Sequence, residues 1–216
     1  YIFCEMDKEQ RGIYDAYKKK IREDLLSRLK KDGAGKSQMM ILQGLTKLRQ
    51  ICDSPELLND EQSYGNDSIK IKKLLEHIEE KTANHKILVF SQFTGMLKLI
   101  EQSLKKDQVT YEYLDGSRTS KQRQESVKNF QDNDDCRVFL ISIKAGGTGL
   151  NLTEADYVYI VDPWWNPAVE NQAIDRCYRI GQTKKVIAYR IICKDTIEEK
   201  IMKLQESKKK IASDII

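Results

Sequence analysis

The stretch Val138-Phe-Leu-Ile-Ser-Ile143 is followed directly by Lys144-Ala-Gly-Gly-Thr-Gly-Leu-Asn151. The first part is a short apolar run rich in branched side chains, as expected of a strand that is buried on both faces. The second part is a polar loop whose glycines would let backbone N–H groups approach an anion closely. A buried strand that ends in such a loop is typical of a parallel α/β sheet with a ligand-binding edge.

The same pattern recurs along the chain after residue 68. Further β-branched apolar runs occupy residues 87–90, 111–114, 157–161 and 186–192. Helical stretches lie between most of them, at residues 94–106, 119–131 and 167–180, and Thr119 with Gln122 forms a capping box. This alternation predicts an α/β protein with a three-layer, doubly wound parallel sheet.

Helices are also expected before and after this region. Residues 8–31 read as an amphipathic helix, Lys31–Lys36 as a turn, and a second helix carries Ile41, Leu45, Leu48 and Cys52 before Pro55. Residues 59–68 have the composition of a linker or surface loop, and Thr196 with Glu199 caps a last helix. We therefore predict an N-terminal helical segment at 1–66, an α/β lobe at 67–195 and a C-terminal helix at 196–216. The first residue is Tyr, so we expect the chain to begin inside a longer protein.

The composition permits several partners and argues against others. Lys and Arg number 37 against 33 Asp and Glu, so the formal charge of +4 allows nucleic-acid binding only through a local basic surface. Five scattered cysteines and two histidines show no zinc-ligand spacing and favour a reducing compartment. No apolar run has the length of a membrane span, and no signal peptide is visible.

Gly33-Ala-Gly-Lys-Ser37 looks like the end of a phosphate-binding P-loop. A full P-loop needs a glycine five residues before Gly35, after a strand, and Lys30 stands there instead at the end of a charged helix. A glycine turn between two helices, with Ser37 as the next N-cap, accounts for the stretch better.

Polar loops follow the predicted strands, where parallel sheets bind their ligands. In chain order they begin at Ser91-Gln-Phe-Thr94, Asp115-Gly-Ser-Arg118, Lys144 and Asp162-Pro-Trp-Trp-Asn-Pro167. Their hydroxyl, glycine N–H and basic donors suit a phosphodiester backbone, and a tryptophan there could stack on a base. Each loop also has a plainer interpretation: a strand-to-helix turn, an Asp-Gly turn, or packing of Trp164 and Trp165.

Gln172-Ala-Ile-Asp-Arg-Cys-Tyr-Arg-Ile-Gly-Gln182 adds a second donor set. If this stretch is helical, Gln172, Arg176 and Arg179 lie on one face, where two guanidinium groups and an amide suit a phosphate chain. A salt bridge to Asp175 is the alternative. The lysines at 208–210 read as a solvated face.

Together these strings resemble the C-terminal, RecA-like lobe of Swi/Snf-family ATPases, the DNA-translocating branch of superfamily-two helicase-like motors. Residues 87–93 resemble motif IV and 113–117 the motif after it. Residues 142–152 resemble motif V, 162–167 the tryptophan block and 172–182 motif VI. Residues 41–58 resemble the helical segment that precedes this lobe, and the last helix resembles the brace that returns to the first lobe.

The resemblance implies roles for individual residues. Arg176 and Arg179 would be arginine fingers on the γ-phosphate of ATP, Gln172 would help place that phosphate, and Gly147, Gly149 and Asn151 would face the nucleotide. The residues implied in gripping double-stranded DNA are Ser91, Gln92, Thr94, Gly116, Ser117, Arg118, Lys144, Ala145, Gly146 and Trp165.

Some features depart from the family pattern. Cys177 and Tyr178 replace the usual Ala and His of motif VI, which puts any role of that His in doubt. Neither a P-loop nor an Asp-Glu-x-His metal motif occurs, so ATP and Mg²⁺ would be held mainly by a first lobe that these residues do not supply. No tightly bound cofactor of this chain itself is expected.

We therefore expect half a DNA-translocating motor that is essentially inactive alone, with a non-catalytic nucleic-acid-binding or scaffold module as the alternative. The Thr-Gly-Leu-Asn and Pro-Trp-Trp-Asn-Pro variants resemble bacterial members, although some nuclear members share them. A bacterial member would be cytoplasmic and nucleoid-associated, and a eukaryotic one nuclear.

Overall fold

The protein is described from a computed structural model. It covers residues 1–32, 34–64, 68–146, 149–176 and 181–215, and it describes the side chains there except at residue 29, residues 31–37 and residues 209–215. Within these ranges the strands are β1 Ile2–Cys4, β2 Ile87–Ser91, β3 Tyr111–Leu114, β4 Val138–Ser142, β5 Tyr157–Ile160 and β6 Ile187–Cys193. The helices are α1 Lys8–Asp32, α2 Ala34–Asp53, α3 Ile69–Lys81, α4 Thr94–Lys106, α5 Ser120–Asp132, α6 Ile143–Gly146, α7 Pro167–Ile174 and α8 Ile197–Ile215.

The described strands form one parallel sheet in the order β1-β6-β5-β2-β4-β3. β2 lies at its centre, with Ser91 beside Ser142 of β4 and Phe90 beside Ile160 of β5. The prediction of a parallel α/β sheet is confirmed. Because β4, β2 and β5 end next to one another, the loops that follow these three strands share one edge of the sheet.

Both faces of the sheet are covered, as the three-layer prediction required. Alternate side chains of β2 point to opposite faces, so that Ile87 and Val89 belong to one buried cluster and Leu88 and Phe90 to the other. The first cluster packs against α1 to α4, and the second contains Phe130 of α5 and Ala173 of α7. Each face therefore has its own hydrophobic core.

The part of the chain before β2 differs from the sequence prediction in three places. β1 was not predicted, although it pairs with β6 at one edge of the sheet. α3 was also missed, although Ile71, Leu74, Leu75 and Ile78 follow the helical period. α2 begins at Ala34, so Ser37 lies within the helix and the prediction that it is the N-cap is wrong. The division at residues 66 and 195 stays a prediction, although β1 from the first segment extends the lobe's sheet.

The helix expected over residues 167–180 is shorter in the structure. α7 ends at Ile174, and Asp175 and Arg176 form a turn. The backbone N–H of Arg176 donates to Ala173 only three residues back, while its carbonyl accepts from Leu152 N at 3.2 Å. In a longer helix the Arg176 carbonyl would accept a hydrogen bond from an N–H of the next turn. Here it accepts one from the loop after α6 instead.

A buried ionic cluster supports the edge of the sheet where the polar loops lie. Lys70 of α3 is fully buried and donates to Asp53 at 2.9 Å, to Glu198 at 2.5 Å and to the carbonyl of Val161 at 2.7 Å. Burial alone would lower the pKa of Lys70, but the two carboxylates outweigh it and raise that pKa well above its usual value. The cluster joins the end of α2, the start of α3, the end of β5 and the start of α8.

In the part of the chain that the structure describes, no helix is both long and apolar enough to cross a membrane.

Candidate nucleic-acid and nucleotide interface

One cleft brings together residues that the sequence assigned to two different roles. It has a volume of about 610 Å³ and opens where β2, β4 and β5 end. Gln92, Lys144 and Trp165, which were predicted to bind DNA, line it with Gln172, which was predicted to act on the nucleotide. We call it the rim cleft; its other described lining residues are Thr46, Arg49, Phe93, Ile143, Trp164 and Val169.

The loop after β2, which brings Gln92 to the rim cleft, is held from inside the fold by Asp162. This buried carboxylate accepts hydrogen bonds from Ser91 Oγ and, at 3.0 Å, from the backbone N–H of Gln92. Ser91 was predicted to contact DNA, but its side chain is buried and hydrogen-bonded to Asp162. In this structure it stabilises the loop from inside the fold. The loop in turn leaves Thr94 exposed as the first residue of α4.

The tryptophan block is held in place by a hydrogen-bond network from three elements. The Trp164 N–H donates to Glu170 of α7 at 2.8 Å, and its carbonyl accepts from Gln205 of α8. Glu170 is fully buried and also accepts from Gln205 at 2.9 Å and from Arg190 of β6 at 2.5 Å. This network fixes the backbone beside Trp165, whose partly exposed ring is presented at the cleft.

The loop after β4 contributes one exposed cation and two buried residues. Lys144 is exposed at the rim cleft, whereas Ala145 and Gly146 are buried. A Cβ on Gly146 would lie 3.0 Å from the Phe90 ring, which explains the glycine by close packing. Ala145 and Gly146, both predicted to bind DNA, therefore lie beneath the surface, and Lys144 is the side chain of α6 that reaches it.

The predicted nucleotide residues lie elsewhere on this loop. Gly149 has a left-handed backbone with φ of +62°, which favours glycine, and it lines a second cleft of about 360 Å³ with Asn151. Arg123 and Lys128 of α5 line the same cleft. Gly147 lies outside the described residues.

The loop after β3 forms an ordered turn at the β3 edge of the sheet. Asp115 accepts from the Ser117 hydroxyl at 2.6 Å and from the Ser117 N–H at 2.9 Å. These bonds, the hydroxyl first, lower the pKa of the Asp115 carboxyl. Gly116, Ser117 and Arg118 are exposed on this turn, as DNA contacts need to be.

The predicted catalytic residues are not equally accessible. Gln172 is exposed at the rim cleft, but Arg176 lies beyond the end of α7 and only 7% of its surface is exposed. The two side chains therefore do not form the common exposed face that a continuous helix would give. Arg179 lies outside the described residues.

Sequence reasoning missed Arg49 of α2, which lies in the rim cleft. Its guanidinium donates to the carbonyl of Pro163 at 2.7 Å, and the rings of Phe93, Trp164 and Trp165 surround it with centroids 5.3 to 5.7 Å away. The available signal was its place beside Leu48 and Cys52, where a charged side chain interrupts a buried stripe. Glu170, Arg190 and Gln205 carried no such signal.

The parallel sheet and the donor-rich edge define a RecA-like lobe of the kind found in nucleic-acid motors. Residues 69–181 match the profile of the helicase conserved C-terminal domain. An ATP-dependent helicase of Mycoplasma genitalium is 37% identical over 212 residues, which is 97% of this chain and 20% of that protein. The human chromatin-remodeling ATPase INO80 is 46% identical over 136 residues, or 63% of this chain and 9% of that protein.

Solved structures agree with this assignment. The C-terminal domain of the Sulfolobus solfataricus SWI2/SNF2 ATPase matches with a TM-score of 0.78 and 35% identity, covering 100% of this chain and 87% of that one. The core of the same ATPase in complex with double-stranded DNA matches with a TM-score of 0.81 and 36% identity, covering 99% and 44%. The chain belongs to the helicase C-terminal domain family and corresponds to the C-terminal lobe of Swi2/Snf2-type ATPases. It spans a fifth or less of the length of the two relatives described above.

Proposed function

We propose that this chain is the second motor lobe of an ATP-dependent translocase on double-stranded DNA. The observation that carries the proposal is the rim cleft, where Lys144 and Trp165, expected to contact DNA, lie beside Gln172, expected to contact the nucleotide. A lobe that binds both ligands at one edge can couple a change at one to a movement at the other. The SWI2/SNF2 core that this chain resembles was solved with double-stranded DNA.

On the nucleotide side, Arg179 and Arg176 would stabilise the charge that develops as the γ-phosphoryl group transfers. Gln172 would help place that group, and Gly147, Gly149 and Asn151 would approach the nucleotide from the loop after β4. Because Arg176 is nearly buried, its contribution requires the turn after α7 to rearrange when the lobes close. ATP and Mg²⁺ would be held mainly by the first lobe.

On the DNA side, the exposed turn at Gly116, Ser117 and Arg118, together with Thr94, Gln92 and Lys144, would contact backbone phosphates, and Trp165 would lie against the duplex. These donors read phosphates instead of base edges, so binding would be independent of sequence and would weaken strongly with salt. The protein would act where its DNA is, in the cytoplasm of a bacterium or the nucleus of a eukaryote.

The test joins this chain to the first lobe of a family member and measures ATP hydrolysis with and without duplex DNA. We expect negligible hydrolysis by the chain alone and DNA-stimulated hydrolysis by the joined protein. Arg179→Ala is expected to lower kcat by about 1000-fold or more. The exposed Arg22→Ala on α1 serves as the matched control.

Three results would change the proposal. Robust ATPase from the chain alone would contradict the requirement for a first lobe. Activity that survives Arg179→Ala would remove the finger role of that residue. A joined protein that binds DNA but hydrolyses no ATP would favour the non-catalytic binding module.

A further inference from the structure

Arg49 is a buried cation without a counter-ion among the described residues. Only 3% of its surface is exposed, and no described carboxylate lies within ion-pair distance of it. Its one described hydrogen bond goes to the carbonyl of Pro163, and its Nε has no hydrogen-bond partner. A buried charge with so little compensation is expected at a place where an anion binds.

The aromatic rings around Arg49 hold the guanidinium without using its donors. Phe93, Trp164 and Trp165 lie within cation–π distance. Such rings stabilise the positive charge, but they do not replace the oxygen acceptors that the guanidinium N–H groups require. The three rings therefore hold the planar guanidinium of Arg49 at the rim cleft, and some of its N–H groups remain available to a ligand.

The other polar groups of the rim cleft are also suited to an anion. Gln92 Nε2 is buried without a hydrogen-bond partner, and Lys144 brings an exposed ammonium group. Among the described lining residues there are two cations, two amides and a hydroxyl, and no carboxylate. An anionic oxygen would satisfy the orphaned N–H groups and offset the charge of Arg49 at once.

We propose that Arg49 anchors a phosphodiester-binding site in the rim cleft, with Gln92 as its second donor and Lys144 at its mouth. This inference rests on the proposed function and adds a DNA contact from α2. A phosphodiester carries one negative charge, which matches the single buried cation, whereas a triphosphate would need more cations than the cleft offers. Trp165 would lie against the sugar or base next to that phosphate.

The first experiment measures binding of a fluorescently labelled 16-base-pair duplex across a range of NaCl concentrations. The variants are Arg49→Gln, Arg49→Lys and the matched control Arg22→Gln, which removes an equally charged side chain from the exposed surface of α1. Circular dichroism and thermal unfolding establish that each variant folds. The chain itself is the sample, so no first lobe is needed.

We expect Arg49→Gln to weaken binding about tenfold, as for loss of a charged hydrogen bond. It should also flatten the slope of log K against log[NaCl] by about 0.9, the value for one lost phosphate contact. Arg49→Lys should keep the slope, because the charge remains, and Arg22→Gln should change neither quantity. A fall in affinity with an unchanged slope would overturn the proposal, because Arg49 would then only position the tryptophan block.

The second experiment follows the arginine Nε–H signals by nuclear magnetic resonance, with the Arg49 signal identified by its loss in Arg49→Gln. Adding the duplex should shift this signal, and adding MgATP should not. A shift with MgATP alone would overturn the DNA assignment. If the wild-type chain binds duplex and Arg49→Gln binds equally well with the same slope, this inference fails while the proposed function stands. If the wild-type chain does not bind duplex, the DNA side of the proposed function fails as well.

Discussion

Two buried cations of this lobe, Lys70 and Arg49, differ in what surrounds them. Lys70 is completely buried and touches two carboxylates and a carbonyl. Arg49 is almost as buried, but its described partners are one carbonyl and three aromatic rings. The first charge is balanced within the fold and holds four elements together. The charge of Arg49 is not balanced in this way and remains available to a ligand. Lys70 therefore contributes to stability, whereas Arg49 is suited to binding.

Among the substitutions that test this difference, we expect the one at Lys70 to have the largest effect on stability. Lys70→Met would leave Asp53 and Glu198 buried without their cation, and we expect the free energy of unfolding to fall by about 3–5 kcal/mol. Urea denaturation followed by circular dichroism measures this change. Lys73→Met, on the exposed side of the same helix, is the control and should change stability little. A loss below about 1 kcal/mol at Lys70 would show that the cluster is not a structural centre.

Lys86 is an intermediate case, because it is a buried lysine whose described partners are backbone carbonyls. It donates to Phe130 O and, at 2.9 Å, to Asn133 O at the end of α5, and burial lowers its pKa. Lys86→Met should lower the free energy of unfolding by about 1–2 kcal/mol, since it strips carbonyls of a donor but leaves no carboxylate unpaired. The same denaturation series, with exposed Lys128→Met as the control, tests the ranking. A loss of stability at Lys86 as large as that of Lys70→Met would contradict this ranking.

Arg49 should affect stability least of the three. Arg49→Met removes one hydrogen bond and the cation–π contacts but also removes an uncompensated buried charge, so we expect a net change within about 1 kcal/mol. Duplex DNA should raise the unfolding temperature of the wild-type chain more than that of the variant, because stabilisation by a bound ligand grows with the logarithm of its concentration divided by Kd. Thermal scans with and without duplex measure both quantities. A destabilisation as large as that of Lys70→Met would assign Arg49 to the structural class.

His77 gives the smallest effect, and it depends on pH. Burial lowers the pKa of His77, which also contacts the Tyr159 hydroxyl at 3.1 Å. Because the unfolded chain then takes up the proton more readily, the His77 contribution to stability is present above its ordinary pKa of about 6.5 and is lost as pH falls below it. Comparing wild type with His77→Gln between pH 7.5 and 5 should give converging stabilities at the acidic end. Parallel curves would contradict the shift.

The sequence predicted the centre of the fold more accurately than its edges. β2 to β6, α4 and α5 were located to within one or two residues, because the strands and α4 carry mainly apolar runs or stripes and α5 begins at the capping box of Thr119 and Gln122. β1 has only three residues, and it is a strand because β6 is available to pair with it. α7 ends early because Leu152 bonds the Arg176 carbonyl, a contact that no local pattern encodes.

The candidate site was also predicted only in part, because local sequence patterns show its loops but not the contacts between residues that are distant in the chain. Loops that follow strands can be read from the chain, and they placed Lys144 and Trp165 at the rim. The burial of Ser91 depends on Asp162, which lies 71 residues away in the chain. Arg49 comes from a helix far from those loops in sequence, so only the folded chain shows that it lies beneath the tryptophans.

The most direct test is a crystal structure of this chain bound to a short DNA duplex. We expect a backbone phosphate within hydrogen-bond distance of the Arg49 guanidinium, with Lys144 and Trp165 against the same strand. A duplex that crosses the lobe without placing a phosphate in the rim cleft would contradict it.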